Sequence, residues 1–190
     1  MLICLNKNDV YARHFIPWRT QNSLRVLCCF FQIEQIHEEQ LQCIKAFYSG
    51  KDVYLSTMTG YGKSFVYQSL PLLHDLLIEQ AVGTSIAIVI CPLVSLMIDQ
   101  VSYIQSLGLS AAAIYSGQDP KILADIEEGI YSYVYVSPES LLSVERWRIM
   151  LSYPTFKGHC ITVCIDEAHC ISHWYVHSFK PSVNMTLFEQ

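Results

Sequence analysis

Residues 57–64 read TMTGYGKS and stand between a β-prone run, DVYLS at 52–56, and an apolar segment of helical spacing, FVYQSLPLLHDLLIEQ at 65–80. A strand that passes through a glycine-rich turn straight into a helix belongs to an α/β sheet, with the turn at the carboxyl edge of the strand. The octapeptide fits GxxxxGK[ST] except that Thr57 replaces the leading glycine. Gly60 and Gly62 leave room for main-chain N–H groups to point inward, and the start of the following helix adds its positive end. A nucleoside triphosphate is the expected ligand. Lys63 would hold the β and γ oxygens and Ser64 would bind Mg²⁺, with Thr59, Gly60, Tyr61 and Gly62 completing the cradle.

A second feature answers the first. ITVCI at 161–165 reads as a buried strand that delivers Asp166 and Glu167 at its carboxyl end, and adjacent acids in that place suit the hydrolysis of Mg·ATP. Between the two features apolar strands alternate with helices. Strands are expected at Thr84–Cys91, Ala111–Tyr115 and Tyr131–Ser137, and helices at 93–107, 120–128 and 138–151. The alternation predicts an α/β, RecA-like P-loop NTPase domain: a mostly parallel sheet with helices on both faces and ligands at the carboxyl ends of the strands.

Composition agrees. With 190 residues, 52% of them hydrophobic and 15% charged, the chain is sized for one compact core. The longest apolar run, 85–98, is broken by Pro92 and falls short of the roughly 20 residues a spanning helix needs, so no membrane segment is expected. The formal net charge of −5 argues against a broad cationic surface and confines any nucleic-acid contact to a local strip. Eight cysteines without a CxxC pair read as reduced core residues in a reducing compartment. His169, His173 and His177, with Cys160, Cys164 and Cys170 nearby, suggest zinc. The reading is set aside because Cys160 and Cys164 fall in a buried strand and no short ligand pair is present.

Taken in order, Gln40, GKDVYLSTMTGYGKSFVYQ, VICPLVSLMIDQV, YVSPE and IDEAHCISHW resemble the first RecA-like, ATP-binding domain of a RecQ-type DNA helicase of the DExH group. The resemblance spans residues 31–181, and AHCIS followed by an aromatic is its most specific part. The GYGKS variant, through Tyr61, is similar to the Werner-syndrome type. The implied organisation is an N-terminal extension at 1–28, the first lobe at 29–182 and a truncated tail at 183–190. The second RecA-like lobe, with its arginine finger, is absent from these residues. The implied activity is ATP-dependent 3′–5′ DNA unwinding with ATP and Mg²⁺, on single-stranded or 3′-tailed DNA, in the nucleus. Without the second lobe the chain is expected to be a poor ATPase and unable to unwind DNA alone.

The same resemblance assigns roles. Gln40 would read adenine, Lys63 and Ser64 would bind phosphate and metal, and Asp166 would hold Mg²⁺ through water. Glu167 would orient or deprotonate the attacking water, and His169 would couple the γ-phosphate to the DNA-sensing segment. Pro92, Ser95, Gln100, Ser137, Trp174, His177 and Phe179 would meet the nucleic acid, the aromatic rings by stacking. Each has a plainer reading beside it. Gln40 could be a solvent-facing helix residue, Leu93, Leu96, Met97 and Val101 a buried stripe of any α/β domain, and Ser137-Pro138-Glu139 a helix start.

The chain also departs from the family pattern. IHEEQ stands where an arginine-containing FRPGQ-like run is usual, so His37 replaces the arginine beside adenine, which implies a weaker hold on the base. WYVHSFKP at 174–181 stands for WGHDFRP, one residue longer, with Ser178 for the acid and Lys180 for the arginine. That change implies looser coupling of DNA to ATP hydrolysis. A non-catalytic ATP- or DNA-binding fragment or degenerate copy, and more remotely a P-loop kinase, are the competing readings.

Overall fold

A computed structural model describes residues 1–6, 17–58 and 60–167. Six strands form one sheet in the order β2-β1-β6-β3-β5-β4. They are β1 (Leu2–Asn6), β2 (Val53–Leu55), β3 (Ile86–Ile90), β4 (Ala111–Ile114), β5 (Tyr133–Val136) and β6 (Cys160–Ile165). The helices are α1 (Pro17–Phe30), α2 (Glu38–Tyr48), α3 (Lys63–Leu77), α4 (Val94–Ser106), α5 (Pro120–Glu127), α6 (Pro138–Ser143), α7 (Glu145–Met150) and α8 (Pro154–His159).

β3 pairs in parallel with β5 and β6, and β4 pairs in parallel with β5. These strands read as continuous apolar runs because both of their faces are covered. Ala87, Val89, Tyr133 and Tyr135 enter one core with residues of α2, α3 and α4, while Ile88, Ile90, Val134 and Val136 enter the other with Ile126, Trp147 and Phe156. The expected sheet with helices on both faces is therefore present.

β1 is the exception to the parallel order. It runs antiparallel to both neighbours and separates β2 from β6, with Cys4 opposite Val53 on one side and Cys164 on the other. Its ladder is reinforced by Thr162 Oγ1 donating to Leu5 O at 3.0 Å and by Asn6 N donating to Asp52 Oδ1 at 2.9 Å. β1 thus lies inside the sheet, and Leu27 of α1 is fully buried.

α3 is buried for almost its whole length although Pro71 sits inside it. Proline removes a backbone donor and pushes the preceding turn open. Around it, Gln68 O accepts from Tyr133 Oη at 2.6 Å and Leu70 O from Tyr48 Oη at 3.0 Å, so carbonyls near the proline keep partners. Farther along, the buried Asp75 carboxylate accepts from Gly83 N, Thr84 N and Ser85 N at 2.7, 3.2 and 3.0 Å. This fixes the turn that leads into β3.

Two expectations are corrected. The single helix over 138–151 is broken at Val144, which has φ −104° and ψ 105°, and a third short helix, α8, follows Pro154. Arg148 Nη1 donates to Leu142 O at 2.9 Å and so caps the interrupted end of α6. Leu93 is not part of a buried stripe. It precedes α4 in extended conformation and is 59% exposed, whereas Met97, one turn into the helix, is fully buried.

Candidate nucleotide site

The carboxyl ends of β2, β3, β5 and β6 share one edge of the sheet, because β1 is antiparallel to both β2 and β6 and the other pairings are parallel. The glycine loop, Pro92–Ser95, Ser137 and Asp166–Glu167 follow those four ends directly. Gly62, at φ 76°, precedes the first turn of α3, and Gly60 is likewise left-handed at φ 85°. Other residues take this conformation only under strain. Lys63 folds back over the loop, its Nζ donating to Thr57 O at 3.2 Å and Met58 O at 3.1 Å. The buried Thr57 Oγ1 has no hydrogen-bond partner among the described residues.

One side chain ties the two halves together. Tyr67, one turn into α3 and fully buried, donates to Asp166 Oδ2 at 3.3 Å and approaches Gln100 Oε1 at 3.3 Å. The helix that follows the glycine loop and the acid after β6 therefore meet on a single phenol oxygen. Burial, followed by the charge environment of Tyr135 and Asp166, pushes the Tyr67 hydroxyl well above its ordinary range, so it stays protonated. The sequence reading did not single out Tyr67. Its position three residues after Ser64 on a helix, hence on the same face, was the available signal.

Asp166 is only 5% exposed, and burial raises its carboxyl above the usual range, against the hydrogen bond from Glu167 N at 3.0 Å. Glu167 has a left-handed backbone, φ 54°, uncommon outside glycine. The raised Asp166 sets a linkage of definite sign: its contribution to stability is present below the unfolded pKa and is lost as pH rises through the higher folded one. Asp166→Asn is thus expected to stabilise the fold at neutral pH by about 1 kcal/mol and to give no gain in acid. Thermal melts at two pH values check this.

On the other side of the loop, Gln40 is buried at 3% exposure, not solvent-facing. Its Nε2 donates to Tyr61 O at 3.2 Å and Gly62 O at 3.0 Å, and its Oε1 accepts from His37 N at 3.0 Å. The His37 and Tyr61 rings lie 5.0 Å apart at 31°, and Tyr61 Oη donates to Glu39 Oε2.

Among residues expected to meet nucleic acid, Ser95 is exposed and Pro92 half-buried beside the site. Gln100 is turned inward, with Oε1 accepting from Gln68 Nε2 at 2.6 Å. Ser137 caps α6, accepting from Ser140 N at 3.1 Å, as its plainer reading required. Thr59, His169, Trp174, His177 and Phe179 lie outside the described residues.

The sequence profile of DEAD/DEAH box helicases matches residues 37–188. The chain belongs to the DEAD/DEAH box helicase family. Within it, the chain is a RecQ-like helicase domain. It is 35% identical over 85% of its length to "ATP-dependent DNA helicase Q-like 5" of Arabidopsis thaliana, covering 17% of that protein. It is 36% identical over 83% of its length to "ATP-dependent DNA helicase RecQ" of Bacillus subtilis, covering 25% of it. "ATP-dependent helicase wrn-1" of Caenorhabditis elegans is 33% identical over 85% of the chain, which covers 14% of that protein. These figures do not favour the Werner type. The chain spans about a seventh to a quarter of the length of these three relatives. In fold it is similar to the DUF1998 helicase MrfA, with a TM-score of 0.56 over 70% of this chain and 20% of that one, at 19% identity.

Proposed function

We propose that these residues form the first RecA-like lobe of a RecQ-type, ATP-dependent 3′–5′ DNA helicase. The observation that carries this reading is the Tyr67–Asp166 hydrogen bond, which sets the acid after β6 against the helix that the glycine loop opens. The donor set suits Mg·ATP: left-handed glycines, a lysine held by main-chain carbonyls, a Thr57 hydroxyl without a partner among the described residues and a buried carboxylate. Lys63 would leave Thr57 O and Met58 O to meet the β and γ oxygens. The Ser64 hydroxyl and Asp166 would hold Mg²⁺, which when bound neutralises charge on the phosphates. Glu167 would take a proton from the attacking water at its carboxylate, and His169 would pass the change to Trp174, His177 and Phe179 beside the single strand.

The lobe expected at 29–182 would take in β1 and α1 as well, since β1 pairs inside the sheet. A second lobe would supply the arginine finger, worth roughly 10³–10⁵ in rate in related systems, so these residues alone would turn over ATP slowly and not unwind DNA. We propose a nuclear, reducing setting, which the cysteines of the described residues, none of them in a disulfide, fit. Among the described residues no helix is long and apolar enough to cross a membrane.

A second reading, an ATP-binding module uncoupled from DNA, is favoured by one observation: Gln100 and Ser137 spend their side chains inside the domain. ATP turnover with and without single-stranded DNA, measured on the chain alone and fused to a complete second RecA-like lobe, separates the two. The helicase reading expects DNA stimulation in the fusion, and a loss of single-strand affinity of about tenfold on Trp174→Ala. Turnover indifferent to DNA in the fusion contradicts it.

A further inference from the structure

β1 joins the two strands that lead into the candidate site. β2, which runs into the glycine loop, has β1 as its one sheet neighbour among the described residues, and β1 pairs in turn with β6, which runs into Asp166. Within the sheet, the loop and the acid are therefore held together through five residues, Leu2–Asn6.

In the middle of that strand, Cys4 stands directly opposite Cys164 of β6, and both side chains are fully buried. Directly opposed residues of an antiparallel pair put their side chains on the same face of the sheet. Here the two thiols meet: Cys164 Sγ donates to Cys4 Sγ at 3.3 Å, between residues 160 apart in the chain. Opposed Cα atoms in such a ladder are about 4.5–5.5 Å apart, inside the roughly 4.4–6.8 Å that a disulfide spans. Bond formation would bring the sulfurs to about 2.05 Å. Rotation about the two Cα–Cβ bonds and a slight pinch of the strands supply that movement without a change of register.

We infer that Cys4 and Cys164 are a redox pair that closes into a cross-strand disulfide under a disulfide oxidant and so fastens β1 to the strand that delivers Asp166. Buried thiols are inert, so the reaction starts when β1 opens locally. With glutathione disulfide, the Cys4 thiolate attacks one sulfur of the oxidant and expels one glutathione thiolate. As β1 returns to the sheet, the Cys164 sulfur attacks the Cys4 sulfur of the mixed disulfide and expels the second. The two thiol protons end on the two released glutathione molecules, and the two electrons lost by the protein reduce the oxidant. A bridge between adjacent strands has little slack, and strained bridges are the readily reduced ones, so excess thiol reopens it. The bond requires no nucleotide and forms whether or not the glycine loop binds one.

The full chain is incubated with glutathione disulfide under native conditions, its remaining thiols are alkylated after unfolding, and the unreduced peptides are mapped by mass spectrometry. The expected product is a pair of peptides joined through Cys4 and Cys164, lighter by two hydrogens and returned to free thiols by dithiothreitol. Because the bridge closes a long loop, the oxidised protein should melt about 5–15 °C above the reduced one. Cys4→Ala and Cys164→Ala should each lose both the cross-link and the shift. Should either variant fail to fold, mapping and melting of the wild type decide alone. Wild-type protein in which the two cysteines stay unjoined overturns the inference. So does a dominant bridge from either of them to another cysteine, such as Cys43, or an oxidised form that melts no higher than the reduced one.

Discussion

Glu167→Gln is expected to lower ATP turnover about a thousandfold while Mg·ATP affinity stays within about threefold. The substitution keeps the size and one oxygen of the side chain but removes the carboxylate that can accept a proton from water. It leaves the contacts of Asp166 in place, because Glu167 N still donates to Asp166 Oδ1 and Tyr67 still bonds Asp166 Oδ2, and it gives up the half-exposed ion pair of Glu167 Oε2 with the Met1 ammonium at 3.8 Å. Binding and chemistry therefore separate in this variant. Single-turnover measurements on the fusion with a second RecA-like lobe give the rate, and calorimetry on the same protein gives the affinity. A variant that hydrolyses ATP at the wild-type rate removes Glu167 from the mechanism.

Lys63→Ala is expected to weaken Mg·ATP by at least about a hundredfold, the scale of two charge-assisted hydrogen bonds lost at once. Among the described residues the lysine ammonium donates to Thr57 O and Met58 O, both within its own loop. Its removal costs the fold little, so the loss of affinity should come without a matching loss of thermal stability. That contrast distinguishes a phosphate-binding lysine from one that merely braces the turn.

The strands β3, β5 and β6 were legible because each is a continuous apolar run covered on both faces, and the glycine loop because Gly60 and Gly62 do need left-handed backbone. Other parts of the fold depend on partners too distant in the chain to be seen in a local window. β1 owes its place to residues of β2 and β6, and nothing within LICLN states that it runs antiparallel between them. The interruption at Val144 has a nearby partner instead, the Arg148 side chain on Leu142 O, but no turn residue announces it.

At the candidate site the loop and the acid pair were readable as motifs, but the connection between them was not. It runs through Tyr67, which in sequence is one more aromatic residue on an apolar helix. Gln40 was readable as a residue of interest. Its burial and the direction of its amide come from the way the turn at His37 folds against Tyr61 and Gly62. Leu93 misled for a related reason: it continues the apolar spacing of α4 but stands outside the helix.

The central claim is that residues 57–64 and Asp166 form one Mg·nucleotide site. Calorimetric titration of Mg·ATP into the wild-type chain and into Lys63→Ala, both shown to be folded by their melting curves, tests it most directly. The account predicts saturable one-site binding to the wild type that Mg·ADP competes away, and at least about a hundredfold weaker binding to the variant. Equal affinity for the two proteins, or no binding to the folded wild type, would contradict it.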